Sequence, residues 1–208
     1  MDVEWPPAPP EGYRPHDPDY QQPWYVTVAL LGWILGVFIG PPLLVVALKG
    51  EETAVRLAYT VFQHETPNEW AKYLVWVLGM LGLLALLHEA LHALCGRWFG
   101  YRSKFSIRYD GFLNISPTTL TYGEYQSRGE SIAIALAPLV VLTPASILVL
   151  VVSQDFWVLG SAALICLGNS VGAVADLGSA CRIVQLPAGE LITQDKKGRQ
   201  QYYHRVNE

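Results

Sequence analysis

The stretch LLALLHEALHALCG, Leu83 to Gly96, sets two histidines and a glutamate inside a run of leucines. It ends an apolar segment that runs from Trp70 to about Trp98. Three more such segments follow the same pattern: Trp24 to Leu48, Ile132 to Val152, and Phe156 to about Val184. Each is near or above the ~20 residues that a helix needs to cross a bilayer. Trp24, Trp70, Trp98 and Trp157 stand near segment ends, where interfacial tryptophans belong. The chain has 208 residues, 51% hydrophobic and only 15% charged, too apolar for an ordinary soluble domain. The expected fold is therefore all-α integral membrane, with about four transmembrane helices. Pro41-Pro42 kinks the first or ends it near Gly40, and Pro138 and Pro144 lie inside the third.

Basic residues orient the spans. Arg97, Arg102, Lys104, Arg108 and Arg128 lie between the second and third, and Arg182, Lys196, Lys197, Arg199 and Arg205 at or after the end of the fourth. The loop between the first and second holds only Lys49 and Arg56, with Lys72 at its edge. The positive-inside rule then places both termini in the cytoplasm, in a multi-pass protein of the cell membrane.

Around the spans, residues 1–23 form a proline-rich tail expected to be disordered or extended. It lacks the basic start and the cleavage site of a secretory signal. Residues 24–186 form the membrane-embedded domain and 187–208 a cytoplasmic tail. Glu51 to His64 has apolar residues at helical spacing and reads as a short amphipathic surface helix. SKFSIRYDGFLNIS alternates apolar and polar residues around Asp110-Gly111, a β-hairpin signal between the second and third spans. ELITQDKKGRQQYYHR reads as two short strands around Asp195 to Gly198. The net charge of -4 gives no reason to expect a nucleic-acid partner. Cys95, Cys166 and Cys181 lack the number and spacing for a disulfide framework or a thiolate zinc site.

The chemistry concentrates in His88-Glu89-Ala90-Leu91-His92, an H-E-x-x-H pattern. Residues four apart lie one turn above each other on a helix, so two imidazoles can grip one zinc ion. Glu89 sits beside the first and can take a proton from water at the metal. A carboxylate near mid-bilayer costs ~2.5–3.5 kcal/mol on insertion scales and usually marks function. The competing reading is a polar contact between helices.

Catalytic zinc usually takes a third protein ligand. His16 and His204 lie in the tails and His64 in an outer loop. Asp176, in LGNSVGAVADLG, is the remaining well-buried acid of the spans. His88 follows Trp70 by 18 residues and Asp176 follows Phe156 by 20, which puts them about 27 and 30 Å along spans of the same direction. Their depths therefore match, toward the cytoplasmic face. The competing role for Asp176 is a buried or snorkelling polar residue near a helix end. Asn169 lies two turns up the face of Asp176. Its amide can bond the oxyanion or substrate backbone, or simply join two helices. Gly168, Gly172 and Gly178 suit close packing of the fourth span on the second.

HEALH (His88 to His92) followed by NSVGAVAD (Asn169 to Asp176), with Ala137-Pro138 opening the third span, resembles a family of small prokaryotic membrane zincin peptidases. The layout is also similar to that of the site-2 protease class of intramembrane zinc metalloproteases. The resemblance covers about residues 70 to 185. It implies zinc as cofactor, His88, His92 and Asp176 as ligands, and Glu89 as general base. Two details depart from the pattern: Leu177 stands where the larger enzymes have glycine, and Ala173 where the smaller ones often have serine. The expected function is a zinc-dependent metalloendopeptidase that cuts membrane proteins near the cytoplasmic side. The alternative is a non-catalytic metal-binding scaffold or pseudoprotease, to which Glu89 would be of no use. Expected partners are the lipid bilayer and a membrane-protein substrate.

Overall fold

The structure is a computed structural model that describes residues 8–18, 27, 31–33, 36, 39–40, 43, 45–47, 49–62, 66–109, 115–122, 125–195 and 198–206. Four helices and five strands have both bounds within them. In chain order they are β1 (Tyr13–His16), α1 (Glu51–Phe62), α2 (Pro67–Trp98), β2 (Arg102–Tyr109), β3 (Ile115–Tyr122), α3 (Arg128–Val152), α4 (Phe156–Val184), β4 (Leu191–Gln194) and β5 (Gln200–Arg205).

Helices α2, α3 and α4 are each long and apolar enough to cross a membrane. The first expected span, Trp24 to Leu48, lies in part outside the described residues, Pro41-Pro42 included, and those described within it are helical. The three long helices leave Leu74, Val75, Leu78, Leu86, Val140 and Leu148 more than half exposed. An apolar skin of this extent suits lipid rather than water.

Local sequence explains where each long helix begins. Before α2, Thr66 and Glu69 form a capping box: Glu69 N–H donates to Thr66 Oγ1 at 3.3 Å, and Thr66 N–H to Glu69 Oε2 at 3.1 Å. Pro67 takes the first helical position, where no amide hydrogen is needed. Ser127 and Glu130 form the same box at α3, with bonds of 3.4 and 2.8 Å. Asp155 Oδ1 accepts the Val158 N–H at 3.0 Å and caps α4. Pro138 and Pro144 are both carried inside continuous α3, as buried or lipid-facing helices allow.

The chain forms two compact units. One comprises Met1–Val26, Leu87–Pro138 and Ala175–Glu208; the other comprises Thr27–Leu86 and Leu139–Val174. In the second, Val45, Leu150, Leu159 and Ala162 form the core, with Ala54 of α1 packed against it. A Cβ on Gly168 would come within 2.5 Å of Leu84 Cδ2, so α4 does rest on α2 there. At Gly178 a Cβ would meet nothing within 4 Å, so close packing is not what that glycine serves.

In the first unit, α2 ends in a Schellman turn. Tyr101 N–H donates to Gly96 O at 3.0 Å and Gly100 N–H to Arg97 O at 2.9 Å, with Gly100 at φ 89°. Only glycine takes that conformation readily. The turn sends the chain back as β2, which pairs antiparallel with β3 from Arg102↔Tyr122 to Tyr109↔Ile115. The expected hairpin is present, while its Asp110-Gly111 turn lies outside the described residues. The hairpin packs on the last turns of α2 through Gly96, where a Cβ would stand 3.1 Å from Thr121 Cγ2 and 3.2 Å from Ser103 Oγ. Ser103 Oγ also donates to Ala93 O at 3.2 Å. A Gly96→Leu chain is therefore expected to lose about 1–3 kcal/mol of stability by overpacking. Thermal unfolding in detergent, with protease sensitivity of the hairpin, checks this.

The second sheet has the order β1-β5-β4. Its β4 and β5 are the two strands expected in the C-terminal segment. A bridge between Gln126 and Ile192 and a bond from Thr121 N–H to Gln194 Oε1 (2.9 Å) join this sheet to the β3 region. Ile183, Leu186, Ile192 and Tyr202 form the core beneath, with Ile132 against it. Part of the N-terminal tail is extended, as β1. Tyr13 to His16 pair with Arg205 to Tyr202, and Pro15 is tolerated because β1 is an edge strand.

Candidate metal centre

His88 and His92 lie one turn apart on α2, with ring centroids 4.9 Å apart and planes at 79°. Asp176 comes from α4, and its Oδ2 lies 3.1 Å from His88 Nε2 and 3.6 Å from His92 Nε2. All three side chains are largely buried, with 13%, 12% and 21% of their surface exposed. In a tetrahedral shell with bonds near 2.0–2.1 Å, donor atoms stand about 3.3–3.4 Å apart. The observed separations straddle that value.

Hydrogen bonding fixes one tautomer. His92 Nδ1 lies 2.7 Å from Ile134 O, and a carbonyl only accepts, so Nδ1 carries the proton. A neutral His92 then turns the Nε2 lone pair toward the Asp176 carboxylate. Two acceptors face each other, and a proton or a cation must lie between them. Metal-ligating histidines are held in this way, with the second nitrogen on a backbone carbonyl.

Glu89 joins His88 and His92 in a group whose ligand atoms all lie within 4.8 Å of one another. Asp176 Oδ2 stands 3.1 and 3.6 Å from the two imidazole nitrogens, so both carboxylates border the histidine pair. As the neighbour of His88, Glu89 is turned about 100° around the helix from it. Its main-chain carbonyl accepts a bond from Thr119 Oγ1 of β3 at 2.9 Å, which ties the hairpin to the HEALH turn.

Asn169 belongs to the second unit. It is 1% exposed and donates from Nδ2 to Thr143 Oγ1 at 3.1 Å. This is the bond between helices, one of the two roles expected for it. Ile134 O could not be found by residue type, since a main-chain acceptor leaves no mark there. Thr119 carried a weak sign, as one of several threonines in a strand beside an apolar helix.

The family described as "Putative zincin peptidase" matches residues 81–191. The chain belongs to this family. No curated protein and no solved structure matches it. The zincin peptidase region takes in HEALH, the hairpin, α3 and Asp176, and so both halves of the cluster. The family's name implies zinc, and two imidazoles with a carboxylate are a donor set that zinc accepts.

Proposed function

We propose that the chain is a multi-pass membrane zinc metalloendopeptidase of the H-E-x-x-H type, similar in plan to site-2 proteases. His88, His92 and Asp176 hold the metal, and Glu89 is the general base. The approach of Asp176 Oδ2 to both imidazole nitrogens, 3.1 and 3.6 Å, carries this reading. Zinc in this set would supply Lewis acidity, polarising a peptide carbonyl and lowering the pKa of water toward ~7.

The residues of the chain do the rest. Glu89 takes a proton from the attacking water as its oxygen bonds to the carbonyl carbon. It returns that proton to the amide nitrogen as the C–N bond breaks, leaving a carboxylate and an amine. The Ile134 carbonyl keeps His92 in the tautomer that binds metal. Thr119 holds the HEALH turn against β3. The substrate is a membrane protein cut near the cytoplasmic side, with both termini of the chain on that side. A spanning helix must open before it can be cut, and the β2–β3 hairpin beside the site offers strand pairing to the extended segment.

The protein purified in detergent is expected to cleave members of a panel of membrane-protein segments. Stripping the metal with 1,10-phenanthroline should abolish cleavage, and added zinc should restore it. Cleavage indifferent to the chelator would defeat the metallopeptidase reading. Bound zinc without cleavage of any panel member would favour the metal-binding scaffold.

A further inference from the structure

In ISPTTLTY, Ile115 to Tyr122, side chains alternate between the two faces of β3. Thr118 and Leu120 face the C-terminal segment: a Cβ on Gly198 would stand 2.9 Å from Leu120 Cδ2 and 3.9 Å from Thr118 Oγ1. Thr119 and Thr121 take the other face, with their cross-strand partners Phe105 and Ser103. That face meets α2, where Ser103 and Thr121 close on Gly96.

Two hydroxyls of this face bond carbonyls one helical turn apart. Ser103 Oγ donates to Ala93 O at 3.2 Å, and Thr119 Oγ1 to Glu89 O at 2.9 Å. Both carbonyls lie within α2, where the helix ladder already supplies each with a donor. Neither needs the extra bond. The two anchors differ in what else they reach. Alanine offers no polar side chain, whereas Thr119 also bonds the Glu89 carboxylate. Thr119 is 8% exposed, so it meets Glu89 away from bulk water. A carboxylate oxygen of Glu89 and the ligand nitrogens of His88 and His92 all lie within 4.8 Å of one another. Glu89 is thus gripped by β3 at its main chain and at its side chain, beside the histidine pair.

The chemistry of a hydroxyl suits this position. It has one proton to give and two lone pairs. It can donate to a carboxylate. It can also accept from a carboxylic acid while donating to the Glu89 carbonyl. One side chain therefore serves both forms through which a general base passes, and a valine of the same shape would serve neither.

We propose that Thr119 is a positioning residue for the general base, its hydroxyl holding the Glu89 carboxyl group toward His88 and His92. This rests on the reading of Glu89 as base. Thr119 acts through Glu89 and exchanges no proton with the substrate.

Steady-state cleavage of a membrane segment by the full chain in detergent tests it, comparing Thr119→Val, Thr119→Ser and Ser103→Ala. Loss of an orienting partner commonly costs about 10–100-fold. Thr119→Val is expected to lose that much in kcat, with KM and zinc content close to wild type. Thr119→Ser restores the hydroxyl and should recover most of kcat. Ser103→Ala gives up an anchor of the same kind and should keep its kcat. Thr119→Ala gives the same comparison if the valine chain does not fold. A Ser103→Ala loss as large as that of Thr119→Val, or a failure of serine to rescue, reduces Thr119 to a hairpin anchor and overturns the proposal. A second readout needs no cleavage. The Glu89 carboxyl band is isolated by infrared difference between wild type and Glu89→Gln. The same subtraction in the Thr119→Val background should place it at higher wavenumber, as for a carboxyl group that loses a hydrogen bond. A band that stays in place overturns the proposal whether or not the chain cleaves. Glu89→Gln that cleaves at the wild-type rate overturns the base reading and the proposal with it. An inactive Glu89→Gln beside a fully active Thr119→Val overturns the proposal alone.

Discussion

Glu89→Gln is expected to keep its zinc and lose its cleavage. The substitution removes the proton acceptor while leaving His88, His92 and Asp176 intact, so binding and chemistry separate. General base catalysis is typically worth about 10²–10⁴-fold, and a glutamine amide cannot replace it at neutral pH. The rate on a scissile membrane segment should fall by at least that factor, with metal content equal to wild type. Thr119 Oγ1 bonds the main-chain carbonyl of residue 89 as well as its carboxylate, and the main-chain bond is retained in the variant. A Glu89→Gln chain that cleaves at the wild-type rate would remove Glu89 from the mechanism. One that loses its metal would make Glu89 a ligand instead.

Asp176→Ala should act earlier, on the metal itself. Loss of a residue that merely orients a ligand commonly costs about 10–100-fold in metal affinity, and loss of a ligand should exceed that. A competition titration with a chromophoric chelator is expected to show zinc affinity lower by more than about 100-fold. Activity at limiting zinc should fall with it. The imidazoles of His88 and His92 remain, so excess zinc should recover part of the binding. An affinity within a few-fold of wild type would make Asp176 a hydrogen-bonding partner of the histidines, with the third metal position filled otherwise.

Much of the fold was written in the order of residues. The apolar runs after Thr66, Ser127 and Asp155 become α2, α3 and α4, and each starts at a polar cap that the sequence displays. Asp176 could be paired with His88 by counting residues, because a helix converts count into depth. What escaped was set by contacts that residue type does not record. YRPH has the composition of a tail and becomes β1 only because β5 offers a free edge. The tautomer of His92 depends on the carbonyl of Ile134, and any residue there supplies the same atom. Asn169 was legible as a polar residue in an apolar helix, but its partner Thr143 lies on another helix at no fixed sequence distance.

The central claim is that two imidazoles of α2 and a carboxylate of α4 share one metal ion. X-ray absorption at the zinc edge of the purified full chain addresses it most directly. The expected result is a shell of nitrogen and oxygen near 2.0–2.1 Å with the outer-shell scattering of two imidazoles. His88→Ala/His92→Ala introduced into the same chain should abolish the signal. A sulfur shell near 2.3 Å, which would implicate a cysteine such as Cys95, or a folded protein that holds no zinc, would contradict it.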